Sequence, residues 1–171
     1  MSHVFLVGFM GCGKSTVGRL LAQDMSVPFV DLDVLVQERA DRPLVDIFAH
    51  DGEDAFRDLE SAALSSMASA PRSVVACGGG VVLRDANRAL LRELGTVILL
   101  SVTAGEAMAR VGDTSTRPLL ADRSISMATT LLAARESLYR AVADITVDTD
   151  GRTPEQVAEE ARRGLLPLEP A

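Results

Sequence analysis

Near the N-terminus, the run Gly8-Phe9-Met10-Gly11-Cys12-Gly13-Lys14-Ser15 fits the pattern G-x-x-x-x-G-K-[ST] at every specified position. That pattern suits a nucleoside triphosphate. Glycines let a backbone wrap closely around an anion and turn its N–H groups inward. A helix beginning near Lys14 presents the positive end of its dipole to the phosphates. Lys14 adds a full charge beside the transferred phosphoryl group, and the Ser15 hydroxyl can ligate Mg2+. The motif requires a strand before it and a helix after it, and the hydrophobic pattern supplies both. Lys14 is the only lysine of the chain; the other basic residues are arginines. Such a loop does not by itself separate a kinase from a GTPase, an ATPase motor or a nucleotide-gated switch.

Other residues must make that distinction. Asp31 and Asp33 fall at the end of the second expected strand. Alternate residues of an extended strand share a face, so both carboxylates can point into the crevice beside the loop. The third strand runs into Ala76-Cys77-Gly78 and the fourth ends at Ser101-Val102, neither with an acid. Asp31 and Asp33 are therefore the best carboxylates for metal and proton handling. One can hold Mg2+ through water, and the other can orient an acceptor hydroxyl or take its proton. Capping of the next helix is the competing role and can occupy one of the two.

Gly78-Gly79-Gly80 either admits a small ligand close to the backbone or makes a sharp turn. Arg57 has Glu53 four residues back and Glu60 three residues on, the spacing of helical ion pairs. Arg135 has Glu136 beside it. Spacing alone favours the surface for both, yet either can grip a carboxylate through two parallel hydrogen bonds. The breaker-rich stretch Gly112-Asp113-Thr114-Ser115-Thr116-Arg117-Pro118-Leu119-Leu120 reads as a mobile lid between two helices. Arg117 in such a lid can neutralise charge on the transferred group and exclude water on closure. An ordinary surface loop is the plainer alternative.

These residues need a scaffold to bring them together. Apolar runs at 4–7, 28–32, 74–76, 96–102 and 145–147 are expected strands. Stretches at 14–25, 33–40, 44–50, 51–68, 85–94 and 126–143 are expected helices, with Phe56, Leu59, Ala63 and Met67 at helical spacing. Thr103 with Glu106, and Thr153 with Pro154 and Gln156, match the capping box at two further helix starts. Strands separated by helices imply parallel pairing with helices on both faces. The expectation is a three-layer α/β fold around a five-stranded parallel sheet, whose ligands gather at the carboxyl ends of the strands. Nothing in the chain reads as a linker, so one domain is expected, with a loose tail at 165–171.

Composition excludes several classes. With 171 residues and 47% hydrophobic content, the chain can build a real core and is not disordered. Its apolar runs are far too short to span a bilayer. Met1-Ser2-His3-Val4-Phe5 has no basic region before its apolar run and reads as a first strand, so a cytoplasmic protein is expected. A net charge of −7 argues against general nucleic-acid binding. Cys12 and Cys77 each precede a glycine and read as small turn residues; His3 and His50 lie far apart without partners, so no zinc site is expected.

In order and spacing, these pieces resemble the shikimate kinases from Phe5 to about Ala161. The matching residues are Gly-Phe-Met-Gly-Cys-Gly-Lys-Ser-Thr up to Thr16, Asp31-Leu32-Asp33, and Gly52-Glu53 with Phe56-Arg57 and Glu60. Gly78-Gly79-Gly80-Val81-Val82, Thr116-Arg117-Pro118-Leu119-Leu120, Arg135 with Leu138-Tyr139, and Val147-Asp148-Thr149 with Thr153-Pro154-Glu155 complete the set. The resemblance implies the nucleoside-monophosphate-kinase-like fold, with a substrate-binding segment at about 33–61 and a lid at about 112–124. It also implies ATP-dependent phosphorylation of the 3-hydroxyl of shikimate, a step toward chorismate and the aromatic amino acids.

By matching position, Asp33 contacts the shikimate hydroxyls as base or orienter, and Arg57 and Arg135 hold the carboxylate. Gly79 and Gly80 present backbone to the substrate. Gly11, Cys12, Gly13, Lys14, Ser15 and Thr16 cradle ATP, with Lys14 and Arg117 acting in catalysis. Arg110 and the Thr153-Pro154 turn flank the adenine. One Mg2+ is held by Ser15 and, through water, by Asp31. Partners are shikimate and ATP, with no nucleic acid or membrane, and a monomer is expected.

Cys12 stands where the family usually has another small residue, and Ser137 where a proline is common. The first raises the expectation that thiol reagents slow the enzyme and that ATP protects it. The second bears on how Arg135 is held. Two other readings are a gluconate kinase-like enzyme, which would lack the paired-arginine clamp, and a catalytically silent nucleotide-binding regulator, which would have lost Asp33 or Arg117.

Overall fold

Five parallel strands position everything else: β1 (His3–Val7), β2 (Phe29–Asp31), β3 (Val74–Ala76), β4 (Gly95–Ser101) and β5 (Ile145–Asp148). The helices are α1 (Lys14–Asp24), α2 (Leu32–Ala40), α3 (Leu44–His50), α4 (Gly52–Ser66), α5 (Asp85–Leu94), α6 (Ala104–Val111), α7 (Ile125–Val142) and α8 (Pro154–Leu165). The computed structural model describes residues 2–111 and 125–166. The expected lid at 112–124, with Arg117, lies outside the described residues, as do residues 167–171 of the expected tail. Leu165 itself ends α8 and is buried.

The strand order is β2-β3-β1-β4-β5. From β1 the chain goes out to β2, returns through β3 beside β1, then crosses to β4 on the other side. This reversal places a crevice at the carboxyl ends of β1 and β3, where open parallel sheets bind ligands. The phosphate-loop motif follows β1 and the three glycines follow β3, so both open onto that crevice.

The apolar runs explain the layers. Every residue of β1 and β3 is buried. Val4 and Leu6 pack into one core cluster, with Val17 and Leu21 of α1 and Val157 and Ala161 of α8. Phe5 and Val7 pack into the other, with Val36 of α2, Leu64 of α4, Leu91 of α5 and Tyr139 of α7. Burial on both faces is why these strands read as continuous apolar runs rather than alternating ones. Each fully buried Leu or Phe contributes roughly 1.5–3 kcal/mol. No described helix is long and apolar enough to cross a membrane.

Helix α3, helix α5 and strand β3 have the expected bounds, and most other ends move by one or two residues, the ordinary fraying of helix and strand termini. Two short 3-10 turns, Met67–Ser69 and Val81–Leu83, were not expected. Thr153 makes the complete capping box with Gln156. Thr103 makes half of one. Its hydroxyl accepts from the Glu106 N–H at 3.4 Å, but Glu106 turns to Arg110, and the Thr103 N–H donates to Asp150 instead. His3 is a satisfied core histidine. Its Nδ1 accepts from the Ser73 N–H at 3.2 Å, so Nε2 carries the proton and donates to the Met67 carbonyl at 2.9 Å.

Candidate active site

Two adjoining cavities open at the carboxyl ends of β1 and β3. The first, about 380 Å3, is floored by the loop at residues 10–17 and reaches Arg110, Thr149, Arg152 and Pro154. The second, about 340 Å3, is lined by Arg57, Glu60, Arg135, Gly80 and an apolar wall that includes Phe48 and Phe56. Met10, Asp33, Gly78 and Gly79 line both. Asp33 therefore stands at the boundary.

In the first cavity, Gly13 has φ 93, a left-handed conformation that glycine adopts without strain, and α1 begins at the next residue. The Lys14 ammonium donates to the carbonyls of Gly8 and Phe9, each at 2.9 Å. It thus lies folded over the loop, at the mouth of the anion cradle. Ser15 Oγ donates to Asp31 Oδ2 at 2.7 Å, while Asp31 Oδ1 accepts from the Asp33 N–H at 3.1 Å and caps α2. Capping thus falls to Asp31, and the Asp33 side chain is not used for it. The hydroxyl and carboxylate of Ser15 and Asp31 are hard oxygen donors side by side, the chemistry Mg2+ prefers. Among the described residues there is no group of three or more His, Cys, Asp or Glu that could hold a metal ion. A magnesium ion here would complete its shell with phosphate and water, as it usually does.

At the far end, Arg110 donates to the Thr149 carbonyl at 2.6 Å and hydroxyl at 3.1 Å and pairs with Glu106 at 2.8 Å. Thr153 does not line the cavity; its side chain caps α8. Its neighbours Arg152 and Pro154 do line it. Arg152 was not anticipated, and an isolated arginine in a polar turn carries no sequence signal that would single it out.

Cys12 and Cys77 are free and buried, at 1% and 3% exposure. The Cys12 sulfur packs against the loop, 3.5 Å from the Lys14 ammonium. This placement argues against the expected reactive thiol: Cys12 lines the loop cavity, yet it is packed in a core cluster and almost wholly buried. A thiol-reactive dye should label neither cysteine of the native protein within minutes and both after unfolding. Rapid native labelling that ATP suppresses would restore the reactive thiol.

In the second cavity, spacing alone had favoured the surface for both arginines. Instead Arg57 and Arg135 are each only 6% exposed and converge there from α4 and α7. Arg57 pairs with Glu60 and Glu53, each at 2.9 Å, and lies over the Phe56 ring at 5.0 Å. Glu60 is fully buried, and its Oε1 has no hydrogen bond. Burial pushes the Glu60 carboxyl up, Arg57 opposes the shift and Asp33 adds to it. Helical spacing made Glu60 look like an ordinary surface partner; full burial makes it part of the site.

A methyl group on Gly78 would lie 2.6 Å from Glu60 Oε1 and 2.7 Å from Asp33 Oδ1. One on Gly80 would lie 2.2 Å from the Arg57 guanidinium. The glycine run is thus a close approach of backbone to three charged groups, not merely a turn. Arg135 Nη1 donates to the Gly79 carbonyl at 3.4 Å, and the Tyr139 hydroxyl donates to the same oxygen. Burial pushes the Tyr139 phenol up, so it remains a neutral donor. Ser137 is exposed on α7.

This geometry joins the loop cavity to a cavity with two buried arginines across one acid. Comparison with known families matches shikimate kinase over residues 10–165. The chain belongs to the shikimate kinase family. It is an ATP-dependent phosphotransferase of aromatic amino acid biosynthesis. It is 45% identical over 163 residues to the shikimate kinase of Moorella thermoacetica, covering 95% of this chain and 94% of that one. To the shikimate kinase of Pseudomonas aeruginosa it is 40% identical over 171 residues, 99% of each chain. Its fold superposes on a shikimate kinase from Acinetobacter baumannii solved in complex with shikimate, with TM-score 0.94, 31% identity and coverage of 100% of this chain and 96% of that one. A gluconokinase from Sinorhizobium meliloti, at TM-score 0.66 and 21% identity over 98% of this chain and 93% of that one, shares the fold alone.

Proposed function

We propose that the chain transfers the γ-phosphoryl group of ATP to the 3-hydroxyl of shikimate across the boundary at Asp33. One observation carries this: Asp33 lines both the loop cavity and the cavity holding Arg57 and Arg135. The triphosphate lies on the loop from Gly11 to Thr16, where inward N–H groups and the α1 dipole meet its charge. Lys14 leaves the Gly8 and Phe9 carbonyls for the phosphates. Arg110 and Pro154 flank the base. Ser15 and Asp31 would hold Mg2+, which would supply charge neutralisation on the phosphate oxygens.

In the second cavity, Arg57 and Arg135 pin the shikimate carboxylate, with Glu60 and Glu53 fixing the Arg57 fork. The backbone of Gly79 and Gly80 closes against the ring. The 3-hydroxyl oxygen forms the new bond to phosphorus as the bond to the bridging oxygen of ADP breaks. Asp33 orients that hydroxyl and accepts its proton. Because such transfers are loose, orientation is the larger part of its work. Arg117, outside the described residues, would neutralise charge on the transferring group, as the family resemblance implies. Both cavities are lined by this one chain, so a monomer suffices, and its mass in solution checks this.

A coupled assay of ADP release with shikimate, quinate and gluconate should give turnover with shikimate alone. Turnover with gluconate would overturn the assignment. Arg57→Ala should raise the KM for shikimate by at least about 30-fold, the effect of about 2 kcal/mol lost from a buried charged contact. The KM for ATP should stay within about threefold, since Arg57 lines only the second cavity. Arg57→Lys keeps a charge beside Glu60 but loses the planar fork, and should show the same preference for damaging shikimate.

A further inference from the structure

Tyr139 is the chain's only tyrosine and is 1% exposed. It follows Arg135 by four residues on α7, so the two side chains share one helix face. Both donate to the carbonyl of Gly79. The Arg135 contact is long, 3.4 Å, so the phenol is the principal holder of that oxygen. Three successive glycines have no side chains with which to fix their own peptide planes. Because a peptide unit is planar, fixing the Gly79 oxygen also fixes the Gly80 N–H on the opposite edge. Gly80 in turn abuts the Arg57 guanidinium. One carbonyl thus ties both arginines of the clamp to the backbone between them.

Resting on the assignment of this cavity to shikimate, we infer that Tyr139 is a positioning residue for the acceptor substrate. Its hydroxyl locks the Gly79–Gly80 peptide in the orientation that completes the clamp, and it satisfies the Gly79 carbonyl so that the Arg135 donors stay available to a carboxylate. Tyr139 does not touch the reacting atoms. Gly79 lines both cavities but Gly80 and both arginines line only the second, so the larger effect falls on acceptor affinity.

Tyr139→Phe removes one hydroxyl and keeps the ring packed in the core. The expected result is a KM for shikimate raised about fivefold to tenfold, the loss of one buried hydrogen bond. The KM for ATP should hold close to wild type, and the melting temperature should fall by only a few degrees, the cost of one buried hydrogen bond. An unchanged shikimate KM, or equal rises for both substrates, would overturn the inference. Arg57→Ala run beside it separates two failures. If Arg57→Ala raises the shikimate KM and Tyr139→Phe does not, only the Tyr139 role is lost. If neither does, the assignment of the cavity falls as well.

A second measurement avoids the variant. Biosynthetic fluorotyrosine labels this single site, and its fluorine resonance should shift on saturation with shikimate. A resonance that stays fixed would count against the coupling.

Discussion

Asp33→Asn should lower kcat by about a thousandfold, the middle of the range for a positioned acid–base group, while nucleotide binding stays intact. The capping and Ser15 contacts beside this position do not depend on the Asp33 carboxylate. Capping of α2 falls to the Asp31 carboxylate, and Asp33 contributes its backbone N–H, which asparagine keeps. Ser15 is likewise held by Asp31 and not by Asp33. Folding and the phosphate cradle should therefore survive. Steady-state turnover paired with calorimetric titration of ADP tests both halves. Near-normal turnover would remove Asp33 from the chemistry, and lost ADP binding would show that its role lies in the nucleotide cavity.

Lys14→Met should reduce kcat/KM for ATP by about a thousandfold, in the range for removing a preorganised charge from a transferring phosphoryl group. Methionine approximates the length of the stem and removes the charge. The two loop carbonyls that Lys14 now bonds, those of Gly8 and Phe9, would lose their donor, so the loop itself should also loosen. Because Lys14 is the only lysine, acylation offers an independent test. An amine-directed reagent should modify one side chain and inactivate the enzyme, and ATP should slow both events together. Inactivation that ATP does not slow, or a Lys14→Met variant of ordinary activity, would contradict the role.

What the sequence revealed of this molecule follows the range of the interactions involved. The phosphate loop is local, its signal lies within eight consecutive residues, and it was read correctly with its flanking strand and helix. Helices α3 and α5 came out at their bounds because their apolar spacing marks them plainly. The 3-10 turns at Met67–Ser69 and Val81–Leu83 did not, since three residues establish no period. Thr103 had the right spacing for a capping box, but Asp150, 47 residues away, took its N–H, and no local pattern reports such a competitor.

The clamp behaved likewise. Arg57 and Glu60 looked like a helical ion pair, and they are one. What spacing could not convey is that the fold buries that pair and brings it, with Arg135 from α7, to the lining of one cavity. The ambiguity at Asp31 and Asp33 was a true one in sequence, and only the hydrogen bonds of α2 resolved it. Tyr139 carried a faint signal, a lone tyrosine on the helix face of Arg135, whose meaning depends on a carbonyl 60 residues distant.

The most direct test of the two-cavity arrangement is a crystal structure of this chain with ADP, Mg2+ and shikimate. The shikimate carboxylate should lie between Arg57 and Arg135, with its 3-hydroxyl within hydrogen-bonding distance of Asp33 and facing the terminal phosphate across the shared boundary. Shikimate bound with its carboxylate turned toward Lys14, or seated away from Asp33, would contradict it.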